Sequence, residues 1–176
     1  LGLDDDQVEV ACNLADAEAW VANFNAPGQA IIAGSHDGVE AAGKHAKELG
    51  AKRIMSLPVS GAFHTAFMAP ARDRLRDAIA SADIRDAEIP VVSNVDAKPH
   101  DRGDEWTSLL SAQLTSPVRW KHCLQTLSSL GVTRFAEGFL FLGFRISSRS
   151  VTMRPKSVEK LKNTIRELTV RHHNLD

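Results

Sequence analysis

The chain has 176 residues, 43% of them hydrophobic and 24% charged, with 21 Lys and Arg against 22 Asp and Glu for a formal net charge of −1. That length buries a core without covalent staples, and the composition excludes a disordered, collagen-like or mucin-like chain. Near-neutral charge argues against a dedicated nucleic-acid binder, and Cys12 and Cys123, far apart and outside any CxxC spacing, indicate neither a disulfide framework nor a zinc site but a reducing, cytoplasmic setting.

Asp4-Asp5-Asp6 precede Val8, Cys12 and Ala15 at helical spacing, which predicts a helix over about 4–15 with acidic residues where the helix dipole favours them. Ala19 to Phe24 alternates like a strand, Asn25-Ala26-Pro27-Gly28 is a turn signal, and Gln29 to Gly34 is β-rich, so a hairpin is expected. Ser35 can cap a following helix with Val39, Ala42, Ala46 and Leu49 on one face and Gly50 as its stop. Ala51 to Val59 is expected to be a strand. Helix, strand, strand, helix, strand is the order of a ferredoxin-like βαββαβ unit without its first strand, which is expected to lie before Leu1. Leu1 is not a methionine, and a truncated piece of a longer product is expected.

Ser60-Gly61-Ala62-Phe63-His64 is expected to be a loop, with a helix from about Ala66 to Ser81, a short strand over Ile89 to Asn94 and a loop from Asp96 to Asp104. Helices are expected at about 105–114 and 118–130 and a strand from Val132 to Ala136. Strands alternating with helices point to an α/β architecture. From Gly138 onward eight Lys and Arg face three Asp and Glu, against thirteen and nineteen before it. The apolar run Phe139 to Leu142 is interrupted by Gly143 and Arg145, far short of the roughly 20 residues of a membrane span. The chain's start lacks the basic and apolar stretches of a signal peptide, so no membrane association is expected.

His64 follows a strand within a glycine-containing loop, where backbone approaches a ligand and a neutral imidazole can take a proton near neutral pH. No G-x-S-x-G nucleophile elbow occurs; Gly34-Ser35-His36-Asp37-Gly38 has the wrong order. Cys12 and Cys123 sit within helical patterns, as inert residues do. His36, His45, His100 and His122 have no ligand partner at i+2 or i+4, and His172-His173 lie in a charged tail, so no metal is expected. Gly28 belongs to a turn and to no nucleotide-binding loop, and the tail's Arg145, Arg149, Arg154 and Lys156 are expected on a solvated face.

Val59-Ser60-Gly61-Ala62-Phe63-His64-Thr65 with Met68-Ala69-Pro70-Ala71 resembles the histidine motif of malonyl-CoA:acyl carrier protein transacylases and the related acyltransferase domains of polyketide synthases. Asn23 to Gln29 with Ile32-Ala33-Gly34, Pro90 to Asp96, and Gln113-Leu114 with Ser116 to Trp120 resemble further segments of that family in the same order, over about residues 1–137. The resemblance implies a ferredoxin-like small subdomain over 1–59, the C-terminal part of an α/β-hydrolase-like acyltransferase subdomain over 60–137, and a divergent basic tail over 138–176. It also implies an S-malonyltransferase of fatty acid biosynthesis, passing a malonyl group from malonyl-CoA through a serine ester to the phosphopantetheine thiol of acyl carrier protein, with no cofactor of its own. His64 then corresponds to the general base, and Gln113 to the residue whose backbone carbonyl holds the imidazole. Phe63 and Asn25 correspond to substrate-binding positions, Phe63 going with malonyl selection.

The family's serine elbow, malonyl-pairing arginine and oxyanion loop fall upstream of Leu1. After Glu137 the family's Val-Gly-Pro-Gly turn is replaced by Gly138 to Gly143, so the tail is expected to stem from a frameshift or altered splice. A fragment without its nucleophile is expected to be inactive alone, with Val91, Val92 and the helices near Leu110 and Leu124 exposing apolar faces. Alternatives are a fragment of a polyketide or fatty-acid synthase domain, a non-catalytic remnant binding acyl carrier protein or coenzyme A, and a generic α/β-hydrolase fragment. The expected compartment is the cytoplasm, or an organelle in a eukaryote.

Overall fold

The computed structural model describes residues 1–59, 61–131, 139–141, 144–146 and 151–153. The chain divides into two compact units, residues 1–130 and 131–176. The strand expected over Val132 to Ala136 lies outside the described residues.

Local signals set the first four elements. Helix α1, Asp5–Asn13, opens with a capping box in which the Asp4 carboxylate accepts from the Gln7 N–H at 2.8 Å and the Asp4 N–H donates to Gln7 Oε1 at 3.1 Å. Strands β1, Ala19–Ala26, and β2, Gln29–Gly34, form an antiparallel hairpin turned at Gly28, whose φ of +71° suits glycine. Helix α2, His36–Glu48, is capped by Ser35 Oγ on the Gly38 N–H at 3.1 Å. It ends where Gly50, at φ +100°, lets its own N–H reach Lys47 O at 3.0 Å and that of Ala51 reach Ala46 O at 2.9 Å.

The core lies between these elements: Leu3, Val8, Ala11 and Cys12 meet Ala19, Val21 and Phe24 of β1 and Ala42 and Ala46 of α2. Alanines line much of this contact, so backbones approach closely. The Glu18 carbonyl oxygen accepts from the Ser35 N–H at 2.9 Å, and a Cβ at Gly34 or Gly38 would collide with it.

β1 is flanked on both edges, since Asn23 is bridged to Ile31 of β2 and, in parallel, to Val118. The Phe24 N–H donates to Val118 O at 2.9 Å and the Val118 N–H to Ala22 O at 2.8 Å. Helix α5, Trp120–Ser129, starts from this bridge. Its Lys121 and His122 reach the Asp5 carboxylate of α1 at 2.5 and 3.2 Å, and the His122 ring meets Phe24 edge-on.

Several expectations are corrected. The Ala51 to Val59 strand does not form: beyond the Ala51 N–H on Ala46 O at the end of α2, its backbone is tied to Leu1, whose N-terminus donates to Arg53 O at 2.9 Å and whose carbonyl accepts from Lys52 at 2.8 Å. With β1 already paired on both sides, Ile54, Met55, Leu57 and Val59 stay exposed. The helix expected from Ala66 to Ser81 is split into a 3-10 turn, Ala66–Ala71, and helix α3, Arg72–Ala80, because Pro70 has no N–H to continue an α-helical ladder. The strand expected over Ile89 to Asn94 shrinks to β3, Val91–Val92, which pairs with β4, Pro99–His100, inside what the sequence suggests is a loop. A 3-10 turn, Gly103–Glu105, leads into helix α4, Trp106–Gln113. Val91 and Leu110 are exposed as expected, whereas Val92 and Leu124 are half-buried. In the second unit, β5, Phe139–Phe141, β6, Phe144–Ile146, and β7, Val151–Met153, form an antiparallel sheet in that order. The chain is therefore α/β with small sheets.

Gly38 gives a test of the close approach at Glu18. Gly38→Ala should destabilise the chain by about 1–3 kcal/mol through overpacking, although alanine is the better helix former by about 1 kcal/mol; the shift in urea midpoint measures it.

Candidate active site

The loop after residue 59 is shaped by Thr65. Thr65 is almost wholly buried, its hydroxyl donates to Ala62 O at 2.6 Å, and it accepts from the Phe67 N–H at 3.3 Å, capping the 3-10 turn. Phe67 packs edge-on against Trp20 of β1 with ring centroids 5.2 Å apart, which ties the loop to the hairpin. Within it His64 sits at φ +63°, left-handed backbone that a non-glycine residue adopts only where its surroundings enforce it.

His64 is half-buried, and its Nδ1 lies 3.0 Å from the backbone carbonyl oxygen of Gln113. A carbonyl can only accept, so this contact selects the tautomer that carries its proton on Nδ1 and leaves the Nε2 lone pair as the base. The acceptor is available because Gln113 ends α4, where the last carbonyls have no intrahelical donor. The Gln113 amide nitrogen is 3.4 Å from Nδ1 but donates to Ser116 O at 2.9 Å, which holds the loop after α4 and leaves the carbonyl as the imidazole's anchor.

His64 and Gln113 line a cavity of about 240 Å³ with Leu75 and Ile79 of α3 and Leu110 and Leu114 of α4 and its end. Its walls beside the histidine are apolar. A larger depression of about 380 Å³ runs along α2, where Lys44 pairs with Glu40 at 2.8 Å and His45 with Glu48 at 3.0 Å. It is a solvated charged helix face on which no reactive group converges.

The remaining expected site residues are less tightly drawn in. Phe63 adjoins His64, is exposed, and rests its ring against the open side of Gly61. Asn25 is half-buried in the irregular stretch of β1 between Phe24 and Ala26, and no hydrogen bond joins it to His64. Among the described residues no group of three potential ligands is placed to hold a metal ion, and His172 and His173 lie outside those residues. Cys12 is buried, which, with the Glu9 charge nearby, pushes its thiol up to about 11. Cys123 is also buried and raised, chiefly by burial, and its Sγ donates to Ser93 O at 3.3 Å. What the sequence did not signal is the setting of His100, which the β3–β4 hairpin places between Asp96 and Glu105 at 3.0 and 3.2 Å.

Fold and site thus define an α/β chain that holds a histidine by a backbone carbonyl at the edge of an apolar cavity. No family model matches the chain. The malonyl CoA-acyl carrier protein transacylase of Bacillus subtilis is 39% identical over 155 residues, covering 84% of this chain and 49% of that protein. The crystal structure of an acyl-carrier-protein S-malonyltransferase from Burkholderia pseudomallei superposes with a TM-score of 0.72 at 41% identity, over 74% of this chain and 43% of that one. A malonyl-transacylase solved in complex with its type II polyketide synthase acyl-carrier protein gives 0.71 at 36% identity, over 74% and 43%. The chain is homologous to part of the malonyl CoA-acyl carrier protein transacylases, and it spans about half the length of the curated relatives it matches.

Two outcomes follow from this geometry. Gln113→Ala keeps the carbonyl, so ¹⁵N NMR of the His64 ring should still show the Nδ1–H tautomer as the major neutral form. With its thiol near 11, Cys12 carries a thiolate fraction of about 10⁻³ at pH 8, so iodoacetamide followed by mass spectrometry should find Cys12 unmodified in the native chain and alkylated after unfolding.

Proposed function

We propose that the chain is the C-terminal part of a malonyl-CoA:acyl carrier protein S-malonyltransferase of fatty acid biosynthesis, with His64 as its general base and acid. The observation that carries this reading is the Nδ1–H of His64 on the Gln113 carbonyl, which orients the imidazole as an aspartate does in a hydrolase triad. In the reaction His64 Nε2 takes the proton of a serine hydroxyl as its oxygen attacks the thioester carbon of malonyl-CoA, and returns that proton to the departing coenzyme A thiolate. The second half repeats these moves with the phosphopantetheine thiol of acyl carrier protein as nucleophile and the serine as leaving group. The serine belongs to a segment outside these 176 residues, which contain no G-x-S-x-G string.

In this reading residues 1–59 belong to a ferredoxin-like small subdomain and 60–137 to the C-terminal part of an α/β-hydrolase-like subdomain, with 138–176 a divergent tail. Phe63, exposed next to His64, favours the malonyl group, and Asn25 contributes to substrate binding from β1. The partners are malonyl-CoA and acyl carrier protein, as in the related transacylase solved with its carrier. No cofactor beyond the substrates is required, and the cytoplasm is the setting. No helix among the described residues is long and apolar enough to cross a membrane. Relatives named malonyl CoA-acyl carrier protein transacylase, of which this chain covers 49% and 45%, support this reading over a synthase domain or a non-catalytic remnant.

A graft tests it. Residues 1–137, replacing the matching half of the Bacillus subtilis transacylase, should give a protein that moves malonyl from malonyl-CoA to holo acyl carrier protein. His64→Ala in the graft should lower the rate by about 10³-fold or more, because members of a catalytic triad act as a unit. A folded graft without activity, or one indifferent to His64→Ala, would defeat the proposal. The 176-residue polypeptide alone should show no transfer in the same assay.

A further inference from the structure

The helix whose last carbonyl anchors His64 is held at its other end by a second histidine. Helix α4 starts at Trp106, and its cap residue Glu105 makes no side-chain cap hydrogen bond to the helix backbone. The Glu105 carboxylate instead meets His100 Nδ1 at 3.2 Å, while His100 Nε2 meets Asp96 Oδ2 at 3.0 Å. The His100 ring lies edge-on to Trp106, the first residue of α4, with centroids 6.0 Å apart, and the His100 side chain is only 13% exposed. Asp96 and His100 belong to the β3–β4 hairpin, which is fixed in turn to α5 by Thr126 Oγ1 donating to Ala97 O at 2.7 Å and by Cys123 Sγ on Ser93 O.

A neutral imidazole has one N–H and can satisfy one of two carboxylates; the imidazolium has two and satisfies both. The bridge from hairpin to helix is therefore complete only when His100 is charged. Eight residues of α4 then separate the bridge at Glu105 from the Gln113 carbonyl on His64 Nδ1.

We infer that His100 is a positioning residue for His64: its imidazolium, clasped by Asp96 and Glu105, fixes the start of α4 and through that helix the carbonyl that sets the His64 tautomer. This rests on the proposed role of His64 as base. The charged groups facing His100 are Asp96 from the hairpin and Glu105 from the turn before α4; Arg102 and Asp104 on that turn pair with each other at 2.6 Å, and from α5 Cys123 presents an uncharged thiol. Burial of the ring opposes its charge, but the hydrogen bonds to Asp96 and Glu105 outweigh it, so His100 titrates above its ordinary 6.5. The stabilisation from the bridge is thus fully present below pH 6.5 and is lost as pH rises through the folded-state value of His100.

The test is imidazole ¹⁵N NMR of the full chain as a function of pH. His64 ring shifts should show a second inflection that coincides with the titration of His100. His100→Gln and Glu105→Gln should each remove that inflection and lower the Nδ1–H fraction of neutral His64 about twofold or more, and His100→Arg, which keeps a cation between the carboxylates, should restore the fraction and abolish its pH dependence. His64 shifts that ignore the titration of His100 in the unsubstituted chain, or an unchanged His64 tautomer in both neutralising variants, would overturn the inference and leave the His64–Gln113 contact standing. A His64 that lacks the Nδ1–H tautomer in the unsubstituted chain at every pH would instead remove the role of His64 as base, and this inference with it.

Discussion

The hydrogen bond from His64 to the Gln113 carbonyl spans 49 residues of sequence, and the elements between them are arranged so that it can form. Its donor stands on left-handed backbone that a free chain avoids, at a cost of order 1–3 kcal/mol. That conformation persists because the residues around it are over-determined. Thr65 is fastened to Ala62 and Phe67, and Phe67 is packed on Trp20. The acceptor is a free helix-end carbonyl, so its position depends on where α4 starts and stops. Strain on one side and a helix terminus on the other are joined by a bond whose direction admits one tautomer.

Support for this arrangement passes through β1. Its inner residues Val21 and Phe24 belong to the core under α1 and α2, while its backbone at Asn23 and Phe24 carries the Val118 stretch that follows α4. The chain leaving Gln113 is therefore anchored twice within five residues, first by the Gln113 side chain on Ser116 and then by Val118 on β1. The Asp5 carboxylate adds a third tie by meeting Lys121 and His122 at the start of α5. These two pairs are largely shielded from solvent, so removing one partner leaves a poorly hydrated charge, which costs more than breaking an exposed pair.

What could be anticipated from the residues divides along the range of the forces involved. Asp4, Ser35 and Gly50 act within one helical turn, and the elements they bound stand where the sequence puts them. Strands need partners, and the partner is a tertiary fact: Ala51 to Val59 has the composition of a strand yet pairs with no strand among the described residues, whereas Pro99-His100 has the composition of a loop yet pairs with Val91-Val92. Pro70 was a visible breaker of the helix expected from Ala66, and the missing N–H prevailed over the apolar periodicity around it. His64 was legible as a loop histidine, but its link to Gln113 came from the resemblance alone, since neither spacing nor composition connects the two positions. Asp96 stands four residues before His100, but the offset carried no helical meaning because Pro99 and the loop composition lie between them; a hairpin brings Asp96 to the ring and a turn brings Glu105.

Exposed apolar groups then acquire a meaning that depends on location. Ile54, Met55, Leu57, Val59, Phe63 and Phe67 are all exposed within one stretch of the chain, and this stretch leads into the His64 loop. Scattered apolar side chains on a surface need no explanation, but so many within one short segment are costly to leave in water. The segment also presents backbone groups that Leu1 satisfies only at Lys52 and Arg53. The chain covers about half of its relatives' length, and this exposed segment is continuous in sequence with the His64 loop. The orientation of the imidazole is nonetheless set within the chain itself, because the donor loop, the acceptor helix and the strand that supports both lie within residues 1–130.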